Sequence, residues 1–571
     1  MPKLNTIIQK KLKIHYYPLA IISILLIAAC LRFYKLAQVP HGMTWDEAAI
    51  GYNGYAVLHT RRDEWLKKLP ISFMSFGDYK APLAIYLNGI FTFLFGMNLW
   101  AVRLPFTLSS IFAVLGIIFL VEEIFKLSNK TRSVFTNDQR KKLALLAGIM
   151  MTISPWHLHY SRAGFESGMS LMFLIWGLLF LFKFSQGSFF TRLALPKNLK
   201  EVLTLLKAIT LLACSIYTYH SAKIVAPILA ISLVLFKFKI FLQKKWQSLI
   251  AFLWTLVLMM PLLIDSLMGK GLTRGGTLIF SQNLSFFELI STMIKNYISH
   301  LHPNFLIFAQ TTTLRHGTGA WGVLLPITYL SIIYLILRLA FQIYKKLSKK
   351  IDFSLPFSKV IIHFALIWIL VALLPACLGK EIPHSNRALL ALPGFILFAI
   401  LGLIDFYILV EKKIKKVKLK NKQKKTVLKG FFISLGTIQF LSFLAFQKHY
   451  YTEFARASAA DFQDGYLEAF TYVKDYAKGE NGRKKVDKVI FTSDYGQPYI
   501  YALFVNQLNP IWYRGGSLNH YEFKDHVHRG DLGLKNTIIV GSKDDDLPDE
   551  QVEKFILGSD GEVRFKIYVN D

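Results

Sequence analysis

The sequence predicts a mainly α, polytopic helical membrane protein with about eleven spanning helices and a small C-terminal α/β domain. Three observations predict it. Long apolar runs almost free of charge recur along the first 450 residues, positive charge is concentrated in the stretches between them, and the pattern changes character near Lys448.

A span needs roughly 20 consecutive apolar residues. Only helices and closed barrels satisfy their backbone in lipid, and these runs are too long and too uniformly apolar for barrel strands. Across 571 residues, 53% are hydrophobic and 18% charged, with mean hydropathy +0.39. The net charge of +31 is distributed unevenly: the part from Lys448 onward carries −4 and the rest +35. Because the excess lies in loops and not on one face, it reads as the positive-inside rule and gives no support to nucleic-acid binding.

The apolar segments fall near 16–36, 81–97, 104–125, 143–160, 167–184, 202–219, 222–238, 247–265, 320–338, 360–378, 388–409 and 430–447. The first follows Lys3, Lys10, Lys11 and Lys13 with no small-residue cleavage site, so it reads as an uncleaved helix with its N-terminus inside. Basic loops at 126–142, 237–246, 338–359 and 411–429 are expected in the cytoplasm, the last holding ten lysines against one glutamate. The stretches 37–80, 155–166, the turn near 220, 266–318 and 379–387 then lie outside, with the C-terminal domain. An even number of spans would break this alternation. The segment 81–97, ending at Gly96-Met97-Asn98, is therefore expected not to span fully.

The division predicts a membrane domain over 1–447, with outer loop 37–80, and an extracytoplasmic domain over 448–571. In the latter, a helix is expected at 463–478, a strand at 486–493, a helix at 497–507, a strand at 537–541, a helix at 549–557 and a strand at 562–569, an α/β alternation. Cys30, Cys214 and Cys377 lie far apart in apolar runs and read as buried hydrophobes.

Polar residues sort by side. The basic loops carry lysine and little else. The outer loops carry carboxylates, histidines, arginines and tyrosines in compact groups, so the chemistry is expected to face outward. Met43-Thr44-Trp45-Asp46-Glu47 places two adjacent carboxylates after the first span. Such a carboxylate, partly desolvated, serves as a base; the competing reading is a helix start, with Thr44 as N-cap and acids in the first turn. Asp78-Tyr79-Lys80-Ala81-Pro82 puts Lys80 at the mouth of the next helix, where an ammonium meets a lipid phosphate or merely snorkels. Arg103, the turn from Pro155 to Glu166 with Arg162, the turn Tyr219-His220-Ser221-Ala222-Lys223, the pair Arg315-His316 and the loop Lys380-Glu381-Ile382-Pro383-His384-Ser385-Asn386-Arg387 complete the outer set. Each alone is most simply an interfacial anchor. Together, cations beside two carboxylates suit a phosphate-bearing lipid and a hydroxyl to be activated. No Walker loop, Gly-x-Ser-x-Gly or zinc signature is present, and no helical pair of histidines has ligand spacing.

In the order and spacing of these pieces, most of residues 10–450 resembles the GT-C membrane glycosyltransferases. The likeness is to the bacterial branch related to protein O-mannosyltransferases and lipid A aminoarabinose transferase, which are phospholipid carrier-dependent. It rests on Asp46-Glu47, on Tyr79-Lys80-Ala81-Pro82-Leu83, on Val102-Arg103-Leu104-Pro105, and on the Ser161-Arg162, Tyr219-His220-Ser221 and Pro383-His384…Arg387 turns. Ala81 stands where the family often has proline. The resemblance implies an enzyme, hexosyl- or mannosyltransferase-like. It implies transfer from a polyprenyl-phosphate-linked sugar to an acceptor hydroxyl on a protein, lipid or glycan, with inversion, at the outer face of the inner membrane. It implies a catalytic Asp46 with Glu47 beside it. Lys80, Arg103, Arg162, His220, Lys223, Arg315, His384 and Arg387 are the expected donor-phosphate contacts. No nucleotide is needed, and metal dependence is open, since Asp46 and Glu47 could coordinate a divalent metal. The rival reading is a flippase or exporter for a lipid-linked sugar, which would use the same cations without chemistry. Such a transporter favours mid-membrane charge and internal repeats, neither of which is visible here.

Overall fold

The computed structural model describes residues 2–127, 135–188, 196–268, 278–309, 313–348, 357–478, 486–514, 518 and 520–570, with side chains from Tyr16 onward. Parts of the expected loops 126–142, 266–318 and 338–359 lie outside them. The chain begins with α1 (Pro2–Phe33), α2 (Trp45–Thr60), the hairpin β1 (Phe73–Ser75) and β2 (Asp78–Lys80), α3 (Pro82–Phe95), α4 (Leu99–Lys126) and α5 (Asn137–Thr152). There follow α6 (Pro155–His159), α7 (Glu166–Gln186), α8 (Lys197–Thr218), α9 (Ala222–Phe236), α10 (Phe238–Gln243), α11 (Lys245–Met268), α12 (Phe286–Leu301) and α13 (Pro303–Leu306). Then come α14 (Pro326–Leu347), α15 (Lys359–Cys377), α16 (Ser385–Ala388), α17 (Leu392–Lys415) and α18 (Asn421–Tyr451).

Every apolar segment read from the sequence contains helix. Among the described residues, eight helices are long and apolar enough to cross a membrane, and α3 and α9 are shorter apolar helices. The expected short segment 81–97 is α3, with 14 residues between Pro82 at its start and Gly96 at its end. The segment 143–160 is not one helix. It ends at Thr152, and Ser154 caps a separate turn, α6, that opens with Pro155. The segment 320–338 begins as helix only at Pro326, a proline at the first helical position.

The C-terminal part contains α19 (Glu453–Ala457), α20 (Tyr466–Lys478), β3 (Lys488–Thr492), α21 (Pro498–Asn506), α22 (Pro510–Trp512), β4 (Tyr521–Lys524), β5 (Thr537–Ser542), β6 (Lys554–Leu557) and β7 (Val563–Asn570). The sheet runs β4-β3-β5-β7-β6; β3 is parallel to β4 and β5, and β7 is antiparallel to β5 and β6. The helix expected at 549–557 is corrected: Asp549–Gln551 is one 3-10 turn, and the remainder is strand β6. Its side chains face solvent except Ile556, so an edge strand there has no alternating pattern to betray it. The other edge strand, β4, does alternate, as Tyr-Glu-Phe-Lys, but its four residues are too few for the pattern to stand out.

The C-terminal part packs straight onto the 37–80 segment, with α21 the element lying against α2. Met43, Ala48, Ala49, Tyr52 and Ala56 share one buried cluster with Tyr466, Phe470, Val489, Phe491, Tyr501 and Phe504. At the opposite side α2 meets α3 at Gly54 and Gly89. A Cβ on Gly54 would lie 2.7 Å from the Gly89 nitrogen, so only glycines permit this approach. Helix α2 is thereby clamped between α3 and α21.

Candidate active site

The first turn of α2 divides its two acids. Thr44 is the N-cap: its Oγ1 accepts from Glu47 N at 3.2 Å, and the Glu47 carboxylate accepts from Thr44 N at 3.0 Å, a capping box. Glu47 Oε1 also accepts from Arg103 Nε at 2.7 Å and Gly164 N at 2.8 Å. A Cβ at Gly164 would lie 2.7 Å from Glu47 Cγ, so glycine is what lets that N–H reach the carboxylate. Glu47 is buried with both oxygens saturated. Asp46, one residue earlier, keeps 37% of its side chain exposed and pairs with Lys80, whose own side chain is 7% exposed.

Lys80 arrives on a hairpin. Phe73 pairs with Lys80, and the turn residues Phe76 and Gly77 have φ of 55° and 75°, the left-handed pair that a two-residue connection requires. Phe76 is held there by Trp45 and Tyr499 rings. Pro82 then starts α3, so Lys80 sits at a fixed helix entrance. His220, in the turn between α8 and α9, approaches the carbonyl of Tyr79 with Nε2 at 2.9 Å.

Arg315 donates from Nε to the Asp461 carbonyl at 3.1 Å and lies over the Trp45 ring at 4.9 Å. Arg387 fits against Gly379, where any Cβ would collide with its Nη1. That Nη1 is buried without a hydrogen-bond partner among the described residues. His316 and His384 stack with ring centroids 4.3 Å apart. Burial, then the neighbouring Arg315, pushes His316 down to about 3; burial, then His316 itself, holds His384 well below 6.5. Both imidazoles are neutral at neutral pH.

These groups enclose a polar cavity of about 170 Å³. Of the expected site residues, Asp46, Glu47, Lys80, His220, Arg315, His384 and Arg387 line it. Three do not. Arg103 is fully buried behind Glu47 and also donates to the carbonyls of Leu36, Pro40 and Gly42. Arg162 turns away, donating to the carbonyls of Leu31, Arg32, Tyr34, Lys35 and Val39, where it closes the C-terminal end of α1. Lys223 lines a small adjacent cavity with Asp265 and shares its Lys80 and His220 walls. The cavity adds Asp78, Glu166, His316 and Asn386, which the sequence motifs contained but which were not singled out. Each stands within a few residues of a selected one, so membership of the same outer turn was the available signal.

A larger cavity, about 680 Å³, lies elsewhere, between α5, α14, α17 and α18. Its walls are mainly leucine, isoleucine and phenylalanine, with Gln139, Lys142 and Glu411 among them. Between membrane helices such a groove is the space lipid fills, and it offers no converging set of reactive groups.

No family model and no curated protein matches the sequence. Among solved structures the chain is similar to ArnT from Cupriavidus metallidurans in the apo state, with TM-score 0.49 and 10% identity over 96% of this chain and 97% of that one. The same protein bound to undecaprenyl phosphate gives equal values. The chain is also similar to the Archaeoglobus fulgidus oligosaccharyltransferase tethered with an acceptor peptide, with TM-score 0.46 and 13% identity over 86% of this chain. It spans 63% of that protein's length. At these scores the likenesses decide nothing about chemistry, which rests on the residues already described.

Proposed function

We propose that this protein is a membrane glycosyltransferase. In this reading it moves a sugar from a polyprenyl-phosphate-linked donor to an acceptor hydroxyl on the extracytoplasmic side, with inversion. The observation that carries the reading is the division of labour between the two adjacent acids: Asp46, partly exposed, stands in the cavity with Lys80, Arg315 and Arg387, while its neighbour Glu47 is consumed by the scaffold.

The chemistry follows from charge. Asp46 takes the proton of the acceptor hydroxyl, and that oxygen attacks the anomeric carbon. The bond from this carbon to the phosphate oxygen breaks on the opposite face, its electron pair leaving with the lipid phosphate. Negative charge grows on the phosphate as the sugar approaches an oxocarbenium ion, so cations fixed in advance lower the barrier without reorganising. Lys80 and Arg387 are the first such groups, with Arg315 and His220 next. Lys80 pairs with Asp46 before substrate arrives; an incoming phosphate shares its ammonium and releases the carboxylate to act as base. Glu47 and Arg103 hold the helix start, and Arg162 holds the end of α1. The net +35 of the membrane part, placed in the opposite loops, supports an outward orientation.

The test is transfer of a radiolabelled sugar from a polyprenyl-phosphate donor pool by the purified protein, wild type beside Asp46→Asn. Transfer by wild type and a loss of ~10²–10⁴ in the variant is the expected result. Unchanged turnover in a folded Asp46→Asn protein would overturn the assignment of the base. Movement of the intact donor across a bilayer, with no transfer across a donor panel, would replace the enzyme by a flippase.

A further inference from the structure

We propose that His316, His384 and Glu381 bind one divalent metal ion of the imidazole-preferring kind, zinc first among them, at the wall of the polar cavity. Among the described residues, these three each offer a ligand atom, and the atoms lie within 4.8 Å of one another. Two imidazoles and a carboxylate are the donor set that zinc takes at sites with an open coordination position, whereas magnesium and calcium prefer oxygen.

The hydrogen bonds around His316 leave it ready to ligate. Ser385 Oγ has one proton and gives it to the His316 carbonyl, which can only accept. Ser385 Oγ therefore accepts from the Tyr160 hydroxyl, 2.6 Å away. With its proton spent, the Tyr160 oxygen is an acceptor toward His316 Nδ1 at 3.3 Å. Nδ1 must then carry the imidazole proton, and Nε2 is left with a free lone pair. A ligating histidine normally has its other nitrogen fixed in this manner.

His384 is held by its backbone: its N–H donates to His300 Nε2 at 3.0 Å, and His300 Nδ1 reaches the Asn296 carbonyl at 2.7 Å. His384 Nε2 faces Glu381 Oε2 at 3.7 Å, a gap wider than a direct hydrogen bond. A metal ligated by this Nε2 moves the ring proton to Nδ1. That sacrifices only the contact from Arg387 N at 3.4 Å, the longest in the set. Glu381, 60% exposed at its side chain, swings in with little to break. The nearby Arg315 and Arg387 oppose a bare cation, so an anion in the remaining coordination position accompanies the metal. The two loops that carry the ligands, one with Arg315 and one with Arg387, would be cross-linked by it.

The proposal does not need the transferase reading, because metal content is read without turnover. The full chain, purified in detergent and stripped with a chelator, is titrated with zinc against a chromophoric competitor and analysed by elemental mass spectrometry. One zinc per chain is expected for wild type. The double variant His316→Ala/His384→Ala should lose it, and Glu381→Ala, on an exposed side chain that cannot unfold the protein, should weaken it at least ~10-fold. Cobalt should give the visible absorption of a four-coordinate site in wild type alone. Zinc retained unchanged by Glu381→Ala and by the double variant, or no uptake by wild type, would overturn the assignment. A thermal melt on each variant separates ligand loss from unfolding.

Discussion

The backbone N–H of Trp45 donates to Gln463 Oε1 at 3.0 Å, a bond that spans 418 residues and joins the C-terminal part to the helix start that carries Asp46. The Tyr501 hydroxyl donates to the Met43 carbonyl at 2.7 Å on the same stretch. The C-terminal part therefore reaches the residues on both sides of Thr44, through the loop before α20 and through α21, and it sets the pose of the first turn of α2.

Gln463→Ala and Tyr501→Phe should consequently slow transfer while leaving the donor phosphate contacts in place. Each removes about 1 kcal/mol of hydrogen bonding. The expected outcome is a fall in kcat of several-fold for each, with KM for the donor nearly unchanged. Steady-state kinetics at varied donor concentration checks this. A rise in KM alone would instead place these residues in donor binding.

The adjacent acids should separate cleanly. Asp46→Asn removes the proposed base and disturbs the fold less, because its side chain is at the cavity edge. Glu47→Gln strips the buried Arg103 guanidinium of its counter-charge, and breaking such a pair costs about 3–5 kcal/mol. A melt in detergent should show Glu47→Gln strongly destabilised and Asp46→Asn much less so, because Asp46 is partly exposed although its partner Lys80 is buried.

The arginines should separate as well. Arg387→Met should cost ~10²–10³ in kcat, the effect of losing one preset donor to developing charge, with little change in melting. Arg162→Met should do the reverse, since its guanidinium is spent on five backbone carbonyls outside the cavity. Activity per folded molecule and melting temperature, measured on both variants, discriminate the two roles.

Stability should fall with pH through the first outer loop. Burial pushes the Glu64 carboxyl up from 4.5 to about 7, against hydrogen bonds from Ser75 Oγ at 2.8 Å and Asn53 Nδ2 at 3.3 Å. The folded chain then holds a proton that the unfolded chain has lost between about pH 4.5 and 7, so this contribution declines as pH rises across that window. The loss is at most ~3 kcal/mol. Melting of wild type at pH 5.5 and pH 8 should differ in that direction, and Glu64→Gln should reduce the difference.

Much of the membrane part was legible because lipid imposes a simple rule on sequence. Runs such as 104–125 and 360–378 had to be helices, and they are α4 and α15. The same argument fails at the sheet edges. Strand β6 buries only Ile556, so neither periodicity nor composition separates it from a helix. The site was legible as a set of outer turns but not as a shape. Arg103 and Arg162 have the charge expected of phosphate contacts, yet carbonyls at the end of α1 and in the loop after it claim Arg162 entirely. Glu47 and that loop together claim Arg103.

By itself the sequence determined the helical architecture, the crowding of reactive residues into the turns between helices and the choice of Asp46-Glu47 as the acids to watch, because apolar length and charge placement are written in one dimension. The tertiary structure alone decided which of the two acids stays partly exposed in the cavity, which arginines face it, and that His316 meets His384. Those outcomes depend on which buried donors and acceptors find each other across distant segments, and a buried polar group goes wherever it is satisfied.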